Sequence, residues 1–233
     1  MIGIINSIQT LGTLDGPGVR FVLFMQGCPL RCAYCHNPDT WDFQQGMEYT
    51  AEDIFQKVVR YKAYFGDAGG ITVSGGEPLI QAEFVTELFK LCKENGIHTC
   101  LDTSGGMWSD KIEKLMEVTD LCLLDVKMTN PAYYEKYIHW KMEPVMTFLK
   151  KLKKMNVPTW IRQVIVPDIN DNYENIRKLR AIKNDNPNIT KVELLPFRKL
   201  CVVKYDNLGI KFPLTEYSET AKEELDKLQA YLN

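Results

Sequence analysis

Three cysteines fall within eight residues in the run Gly27-Cys28-Pro29-Leu30-Arg31-Cys32-Ala33-Tyr34-Cys35-His36-Asn37, and no fourth lies nearby. Thiolates are ligands for zinc and for iron–sulfur clusters. A closed four-iron cluster normally takes four of them. Cys28, Cys32 and Cys35 would leave one iron free to bind something else, much as a catalytic zinc keeps one position open for water or substrate. The missing ligand points to a metal site that does chemistry rather than one that only holds the fold. Two other patterns overlap the same residues. Cys32-Ala33-Tyr34-Cys35-His36 reads literally as C-x-x-C-H, the c-type haem attachment pattern, but it leaves Cys28 without a role. Zinc held by three cysteines and His36 would need the adjacent Cys35 and His36 to turn toward one ion, whereas zinc motifs pair two separated half-sites. A cluster on three thiolates is the preferred reading. Gly27 lets the backbone turn sharply beside it, and Tyr34, between two ligands, would shield one side.

Other polar groups recur at intervals along the chain. Gly75-Gly76-Glu77-Pro78 fits a plain strand-to-helix turn with Pro78 near the first helical position. It also fits a bare backbone edge against which a ligand's amino group can hydrogen-bond. Asp125 and Lys127 are two apart on a strand candidate and therefore share a face. Together they can grip a zwitterion, or a ribose and a carboxylate; a salt bridge capping the sheet is the plainer reading. Asp102 suits the same wall or the N-cap of the helix that follows. Arg162 lies in the apolar run Trp160-Ile161-Arg162-Gln163-Val164-Ile165-Val166, where a buried guanidinium needs an anionic partner from the protein or from a ligand. Asp15-Gly16-Pro17-Gly18-Val19-Arg20 has G-x-G spacing. No third glycine follows and the segment leads into a strand, so a dinucleotide site is rejected there, and no phosphate-binding P-loop pattern occurs.

The elements that must position these groups alternate. Strand candidates cover 21–25, 71–74, 97–103, 121–126, 159–166 and 192–195. Helical patterns cover 51–65, 81–94, 110–117, 131–155, 172–184 and 216–232. Strands alternating with helices of this length indicate βαβ units and a parallel sheet. A full eight-stranded barrel takes about 250 residues. Six units in this length therefore predict an α/β fold of the partial, open TIM-like (βα)6 barrel type with parallel strands. An open doubly wound sheet is the alternative. The segment 2–10 is expected to pair as a hairpin or edge strand. In either architecture ligands bind beyond the carboxyl ends of the strands, and the cysteine run, Gly75-Gly76, Asp102 and Asp125-Val126-Lys127 all fall at such ends, with Arg162 in the fifth strand.

The chain of 233 residues is 45% hydrophobic and 25% charged, which suits one domain, 1–233, with a cluster loop at 27–37. Its net charge of −2 gives no global basic field for nucleic acid, and no apolar run approaches the ~20 residues that span a bilayer. The first residues lack the basic and apolar regions of a secretory signal, so a cytoplasmic location is expected. In that compartment seven cysteines suggest metal or catalytic use more than a disulfide framework. Cys100 and Cys122 read as core residues, and Cys92 and Cys201 receive no role. The basic run Lys150-Lys151-Leu152-Lys153-Lys154 reads as a solvated helix face.

Cys28-x-x-x-Cys32-x-x-Cys35 resembles the pattern of the radical S-adenosylmethionine superfamily. Asp15-Gly16-Pro17-Gly18-Val19-Arg20, Gly27-Cys28 and Cys35-His36-Asn37-Pro38-Asp39-Thr40-Trp41 resemble its glycyl-radical-enzyme activases over nearly the whole chain. Ser74-Gly75-Gly76-Glu77, His98-Thr99-Cys100-Leu101-Asp102-Thr103, Trp160-Ile161-Arg162 and Glu193-Leu194-Leu195-Pro196 narrow the resemblance to the branch that acts on pyruvate formate-lyase. Many other activases carry a cysteine-rich insert after the first motif, and 41–62 holds no cysteine. The resemblance implies a [4Fe-4S] cluster on Cys28, Cys32 and Cys35 whose open iron binds S-adenosylmethionine. Its reductive cleavage to a 5′-deoxyadenosyl radical would generate a glycyl radical on the partner. The resemblance further implies that Tyr34, Cys35 and His36 line the S-adenosylmethionine pocket and that Gly75 and Gly76 present backbone to its amino group. Asp125, Val126 and Lys127 would contact ribose and carboxylate, and Asp102 and Arg162 would complete the polar wall. A monovalent cation near Asp102, Thr103 and Asp125, flavodoxin or ferredoxin as reductant, and a monomer are also implied. The chain departs from the family in two places. Arg198 stands where a histidine usually faces S-adenosylmethionine, and 137–144 lacks the usual Thr-Gly stretch. The rival readings are an activase of another glycyl-radical enzyme and a non-enzymatic iron–sulfur electron-transfer module.

Overall fold

Six parallel strands carry the polar groups singled out above. The computed structural model describes residues 1–232. Its strands are β1 (Ile2–Gly12), β2 (Arg20–Met25), β3 (Met47–Thr50), β4 (Gly70–Gly75), β5 (His98–Thr103), β6 (Leu121–Asp125), β7 (Thr159–Ile165) and β8 (Ile189–Pro196). They form one sheet in the order β3-β1-β2-β4-β5-β6-β7-β8. From β2 to β8 every neighbouring pair is parallel. The sheet stays open, with β3 and β8 as its edges. Residues of all six parallel strands nevertheless line a single cavity. A flat doubly wound sheet would hold β2 and β8 too far apart for that, so the sheet curls into a partial TIM-like (βα)6 barrel. The segment expected as a hairpin or edge strand is β1, paired antiparallel with β2. The edge position belongs to β3, which pairs with the other side of β1.

The helices are α1 (Ala51–Val59), α2 (Ala82–Glu94), α3 (Asp110–Met116), α4 (Pro131–Ile138), α5 (Met142–Met155), α6 (Tyr173–Asp185), α7 (Val202–Asn207) and α8 (Lys222–Leu232). Local chemistry sets their ends. Thr50 and Asp53 form a capping box at the start of α1, and Asn172 caps α6 by accepting from the Asn175 N–H at 3.0 Å. The single helix expected over 131–155 is broken. His139 adopts a left-handed conformation, φ 55°, and ends α4, while Trp140 Nε1 donates to the Gly106 carbonyl at 3.2 Å. The break serves the site. Two carbonyls left free at the end of α4 accept from the cysteine loop, Ile138 from the Arg31 N–H at 3.3 Å and Tyr137 from the Ala33 N–H at 2.7 Å.

Parallel strands covered on both faces read as continuous apolar runs, and β6 is buried over Leu121–Leu124. β7 alternates instead. Ile161, Gln163 and Ile165 are buried, while Arg162 and Val164 face the cavity. Cys100 and Cys122 are buried, as expected, Cys92, which received no role above, is buried as well, and all seven cysteines are free thiols. At the opposite end of the barrel Arg20 is fully buried. Its guanidinium donates to Thr72 Oγ1 at 2.9 Å, to the Ala68 carbonyl at 3.3 Å and to the Ile71 carbonyl, closing that end.

Candidate active site at the carboxyl ends of the parallel strands

The cysteine loop has little regular structure of its own, so long-range contacts must hold it. The Gly27 N–H donates to the Thr40 carbonyl at 2.8 Å, with Gly27 at φ 92°, a conformation that favours glycine. Tyr205 Oη from α7 donates to the Cys35 carbonyl at 3.1 Å. Tyr34 Oη donates to the Lys127 carbonyl at 3.1 Å. Lys204 bridges Asn37 Oδ1 and Asp39 at 2.9 and 3.0 Å. With the two bonds from α4, the loop is fixed by the neighbouring turn at Thr40 and by three distant segments, α4, α7 and the chain after β6.

The Gly75-Gly76 pair is tied to the same loop. The Gly76 N–H donates to the Met25 carbonyl and the Glu77 N–H to the Gly27 carbonyl, both at 2.9 Å. A Cβ on Gly76 would lie 2.2 Å from the Gly27 carbonyl oxygen, so only glycine fits. Those N–H groups are committed, and a ligand's amino group would find carbonyl oxygens here. Glu77, which sequence reasoning passed over, is 1% exposed. It accepts from Thr103 Oγ1 at 2.6 Å, the Ser104 N–H at 3.0 Å, Ser104 Oγ, and the Leu79 N–H at 3.1 Å. One carboxylate thus clamps the ends of β4 and β5 together. An acid inside a Gly-Gly-x-Pro turn is the only trace of this in the sequence.

The cavity enclosed by these elements has a volume of about 370 Å³. Cys28, Cys32, Cys35, Tyr34, His36, Gly75, Gly76, Asp102, Asp125, Lys127 and Arg162 all line it. Asp102 is not a helix cap, since Ser109 caps α3. Its Oδ2 accepts from Ser74 Oγ at 2.7 Å and lies 3.6 Å from Arg162 Nη1. Burial pushes its pKa up to about 6 although Arg162 opposes the rise. Burial works against the Arg162 charge too, but Asp102, Asp125 and Asp15 outweigh it and raise the pKa of Arg162. Lys127 and Asp125 pair at 2.8 Å. Despite burial, Asp125 holds Lys127 charged, with its pKa well above the usual lysine value. Asp102 Oδ1, Arg162 Nε and Arg162 Nη1 are buried without hydrogen bonds. Unpaired polar atoms of both signs on one cavity wall suit a polar ligand that supplies both donors and acceptors.

Two expected residues lie differently. The Val126 side chain is fully buried and does not line the cavity. Its main chain bonds across to β7, with its N–H donating to the Arg162 carbonyl at 3.0 Å. Arg198 reaches the site through its backbone: its carbonyl oxygen lies 2.9 Å from His36 Nε2. The guanidinium turns away, donating to the Thr220 carbonyl at 2.7 Å with Glu219 at 3.6 Å.

Burial pushes the thiols of Cys28 and Cys32 up to about 12 and raises that of Cys35. Metal coordination deprotonates such thiols outright. Among the described residues no three of His, Cys, Asp and Glu are grouped to hold a single metal ion. A four-iron cluster spreads its thiolates over separate irons, and three thiols around one cavity suit it.

Comparison with known proteins agrees with this chemistry. Residues 22–180 match the model of the radical SAM superfamily. A pyruvate formate-lyase-activating enzyme of Clostridium pasteurianum is 45% identical over 100% of this chain and 98% of its own. That of Listeria monocytogenes is 43% identical over 97% of this chain and 93% of its own. The pyruvate formate-lyase 1-activating enzyme of Escherichia coli is 41% identical over 100% and 96%. Among solved structures, Streptococcus suis SuiB bound to S-adenosylmethionine aligns with a TM-score of 0.68 at 15% identity, over 88% of this chain and 44% of that one. A domain of a pyruvate-formate lyase-activating enzyme from Bacteroides vulgatus gives 0.58 at 21%, over 70% and 92%. These two show the shared fold. The fold and its three-thiol loop are those of a radical S-adenosylmethionine enzyme, a class that works with S-adenosylmethionine and a [4Fe-4S] cluster. Within that superfamily, the chain belongs to the family of the pyruvate formate-lyase-activating enzymes. None of the described helices is long and apolar enough to cross a membrane.

Proposed function

We propose that this chain activates pyruvate formate-lyase, forming a glycyl radical on it at the expense of S-adenosylmethionine. The observation that carries the reading is the meeting, in one cavity, of three free thiols with the unpaired polar atoms of Asp102 and Arg162. The names of the relatives give the direction of the chemistry and the partner. When bound, the cluster supplies the electron that cleaves S-adenosylmethionine and an iron that anchors it. Cys28, Cys32 and Cys35 would hold the cluster. The carbonyls at Gly75 and Gly76 would receive the amino group of S-adenosylmethionine. Asp125 and Lys127 would bind its ribose and carboxylate, with Val126 contributing only main chain. Asp102 and Arg162 form the remaining polar wall, and Tyr34, Cys35 and His36 close the near side. Arg198 supports that side through its carbonyl on His36. Val164 and Leu195 add apolar lining that helps exclude water from a radical site.

A monovalent cation beside Asp102, Thr103 and Asp125 would offset two carboxylates that line one wall. A single domain over 1–233, a monomeric state and reduction by flavodoxin or ferredoxin complete the reading. The test is anaerobic reconstitution, followed by electron paramagnetic resonance of pyruvate formate-lyase mixed with the reduced protein and S-adenosylmethionine. A glycyl-radical signal on pyruvate formate-lyase is expected. Stoichiometric zinc without iron and sulfide, or a haem band, would end the cluster reading. A radical on a different glycyl-radical enzyme, with none on pyruvate formate-lyase, would change the partner.

A further inference from the structure

Gln163 lies within β7 on the face turned away from the cavity, and it is 1% exposed. A buried amide needs partners at both ends. Its Nε2 donates to the Val126 carbonyl at 2.8 Å, and its Oε1 accepts from Asn175 Nδ2 on α6 at 2.7 Å. Asn175 Nδ2 also donates to the Asn170 carbonyl at 2.8 Å, and Asn175 Oδ1 accepts from Thr129 Oγ1 at 2.6 Å. Asn175 and Thr129 are buried as well. Carbonyls only accept, so Val126 and Asn170 fix which way each amide faces. A paired chain of one polarity thus runs from Val126 through Gln163 and Asn175 to Thr129.

That chain meets the main chain where β6 leaves the sheet. The register of β6 with β7 ends at Asp125 and Arg162. The Val126 N–H still reaches the Arg162 carbonyl at 3.0 Å, and Gln163 holds the Val126 carbonyl. Asp125 and Lys127, on either side of Val126, line the cavity and pair with each other at 2.8 Å. Beyond the end of the strand, the path of the backbone is therefore set from the helix side of the sheet.

We propose that Gln163, backed by Asn175, is a positioning residue that fixes the main chain at Val126 so that Asp125 and Lys127 together meet the ribose and carboxylate of S-adenosylmethionine. The inference rests on the site reading above. Its physical basis is that two side chains two residues apart converge on one ligand only while the peptides between them keep their tilt. A ligand-binding pair is as well placed as the hydrogen bonds behind it. Without the Gln163 donor, the buried Val126 carbonyl loses its partner and the peptide is free to rotate. Asp125 and Lys127 would act on parts of the ligand remote from the carbon–sulfur bond, so the loss falls on affinity more than on the rate of cleavage. Gln163 itself touches no ligand.

The test uses the reconstituted full chain and Gln163→Met, which keeps the reach of the side chain and removes both hydrogen bonds. Iron and sulfide content are measured first. Affinity is then measured by equilibrium dialysis with S-adenosylhomocysteine, which carries the same ribose and carboxylate but no sulfonium to cleave. The variant is expected to load normally and to bind about tenfold more weakly, the size of one lost hydrogen bond to a charged group. In turnover the KM for S-adenosylmethionine should rise by a similar factor, with kcat changed by less than about twofold. A residue that only supported the fold would lower cluster content and kcat together and leave the affinity of the loaded fraction unchanged; that result overturns the proposal. If Gln163→Met does not fold, Gln163→Met combined with Asn175→Leu removes both amides, so that neither is left half paired. The same weakening is expected there, and an unchanged affinity overturns the proposal. A wild-type chain that loads its cluster but binds neither S-adenosylhomocysteine nor S-adenosylmethionine overturns the site reading itself, a result distinct from a wild type and variant that bind equally well.

Discussion

Replacing Arg162 with methionine removes the charge that restrains Asp102 while keeping an unbranched side chain of similar reach. The two groups lie 3.6 Å apart and each is 13% exposed. The gross attraction at that distance is about 5 kcal/mol with an effective dielectric of about 20. That figure does not become the loss of stability, because Asp102 has an escape. Its pKa is already raised from the ordinary 3.8 to about 6. The folded state therefore binds this proton more tightly than the unfolded chain does. The resulting stabilisation is fully present below pH 3.8 and is lost as pH rises to about 6, by roughly 3 kcal/mol in all. Above that the wild-type profile levels off. Without Arg162 the pKa of Asp102 rises further, the loss continues through neutrality, and it adds roughly 1.4 kcal/mol for each further pH unit. Asp15, also restrained by Arg162, shifts in the same direction. Urea unfolding of the cluster-free protein from pH 5 to pH 8 reads this directly. We expect wild type and Arg162→Met to share one slope up to about pH 6, and the variant to be about 1.4 kcal/mol further behind at pH 7 than at pH 6. Parallel profiles over the whole range would refute the assignment of Arg162 as the group that keeps Asp102 ionised.

Glu77→Gln replaces an acceptor with an amide whose NH2 must face donors from Thr103, Ser104 and Leu79; a loss of about 3 kcal/mol in urea unfolding is expected, and a loss under 1 kcal/mol would mean the clamp is not needed. Cys28→Ala, Cys32→Ala and Cys35→Ala should each lower bound iron and sulfide severalfold after reconstitution, whereas Cys100→Ala, a core position, should bind the full complement; equal metal content in all four variants would remove the three-thiol site.

The six parallel strands were legible because each is a short apolar run ending in a polar group, and every one of them forms. What stayed hidden has physical reasons. β3 is short, mostly exposed and polar, so no periodic signal marks it. The break between α4 and α5 falls on His139, which takes the left-handed conformation without the glycine that usually announces a helix end. α7 is only six residues long, yet it supplies the tyrosine that grips Cys35. The polar wall of Asp102, Asp125, Lys127 and Arg162 was visible as residue types at strand ends. Its pairing was not. Asp125 and Arg162 sit in register on neighbouring strands, but Arg162 makes its ion pair with Asp102. Glu77 was quoted as part of a turn and given no task, because a buried carboxylate is recognisable only once its donors surround it.

The way the cysteine loop is held has a consequence for how the cluster enters. A zinc finger is unfolded without its metal, because its ligands are the main support of a very small core. Here the loop is tied by Thr40, Tyr137, Ile138, Lys127 and Tyr205, and four of these five come more than ninety residues later in the chain. The loop can reach its folded form only after the strands through β6 and the later helices have assembled. Once they have, no metal is needed to define its path. The cluster-free protein is therefore expected to be a folded barrel with a preformed loop. Its far-ultraviolet circular dichroism should match that of the loaded protein, and its urea transition should be a single cooperative step with a similar slope. Metal binding adds stability in proportion to affinity without creating the fold. Removing the Tyr205 tie separates the two views: Tyr205→Phe should slow or weaken cluster uptake while leaving the unfolding slope unchanged. A cluster-free protein that lacks secondary structure, or unfolds without a cooperative transition, would show that the cluster and not the barrel orders the loop.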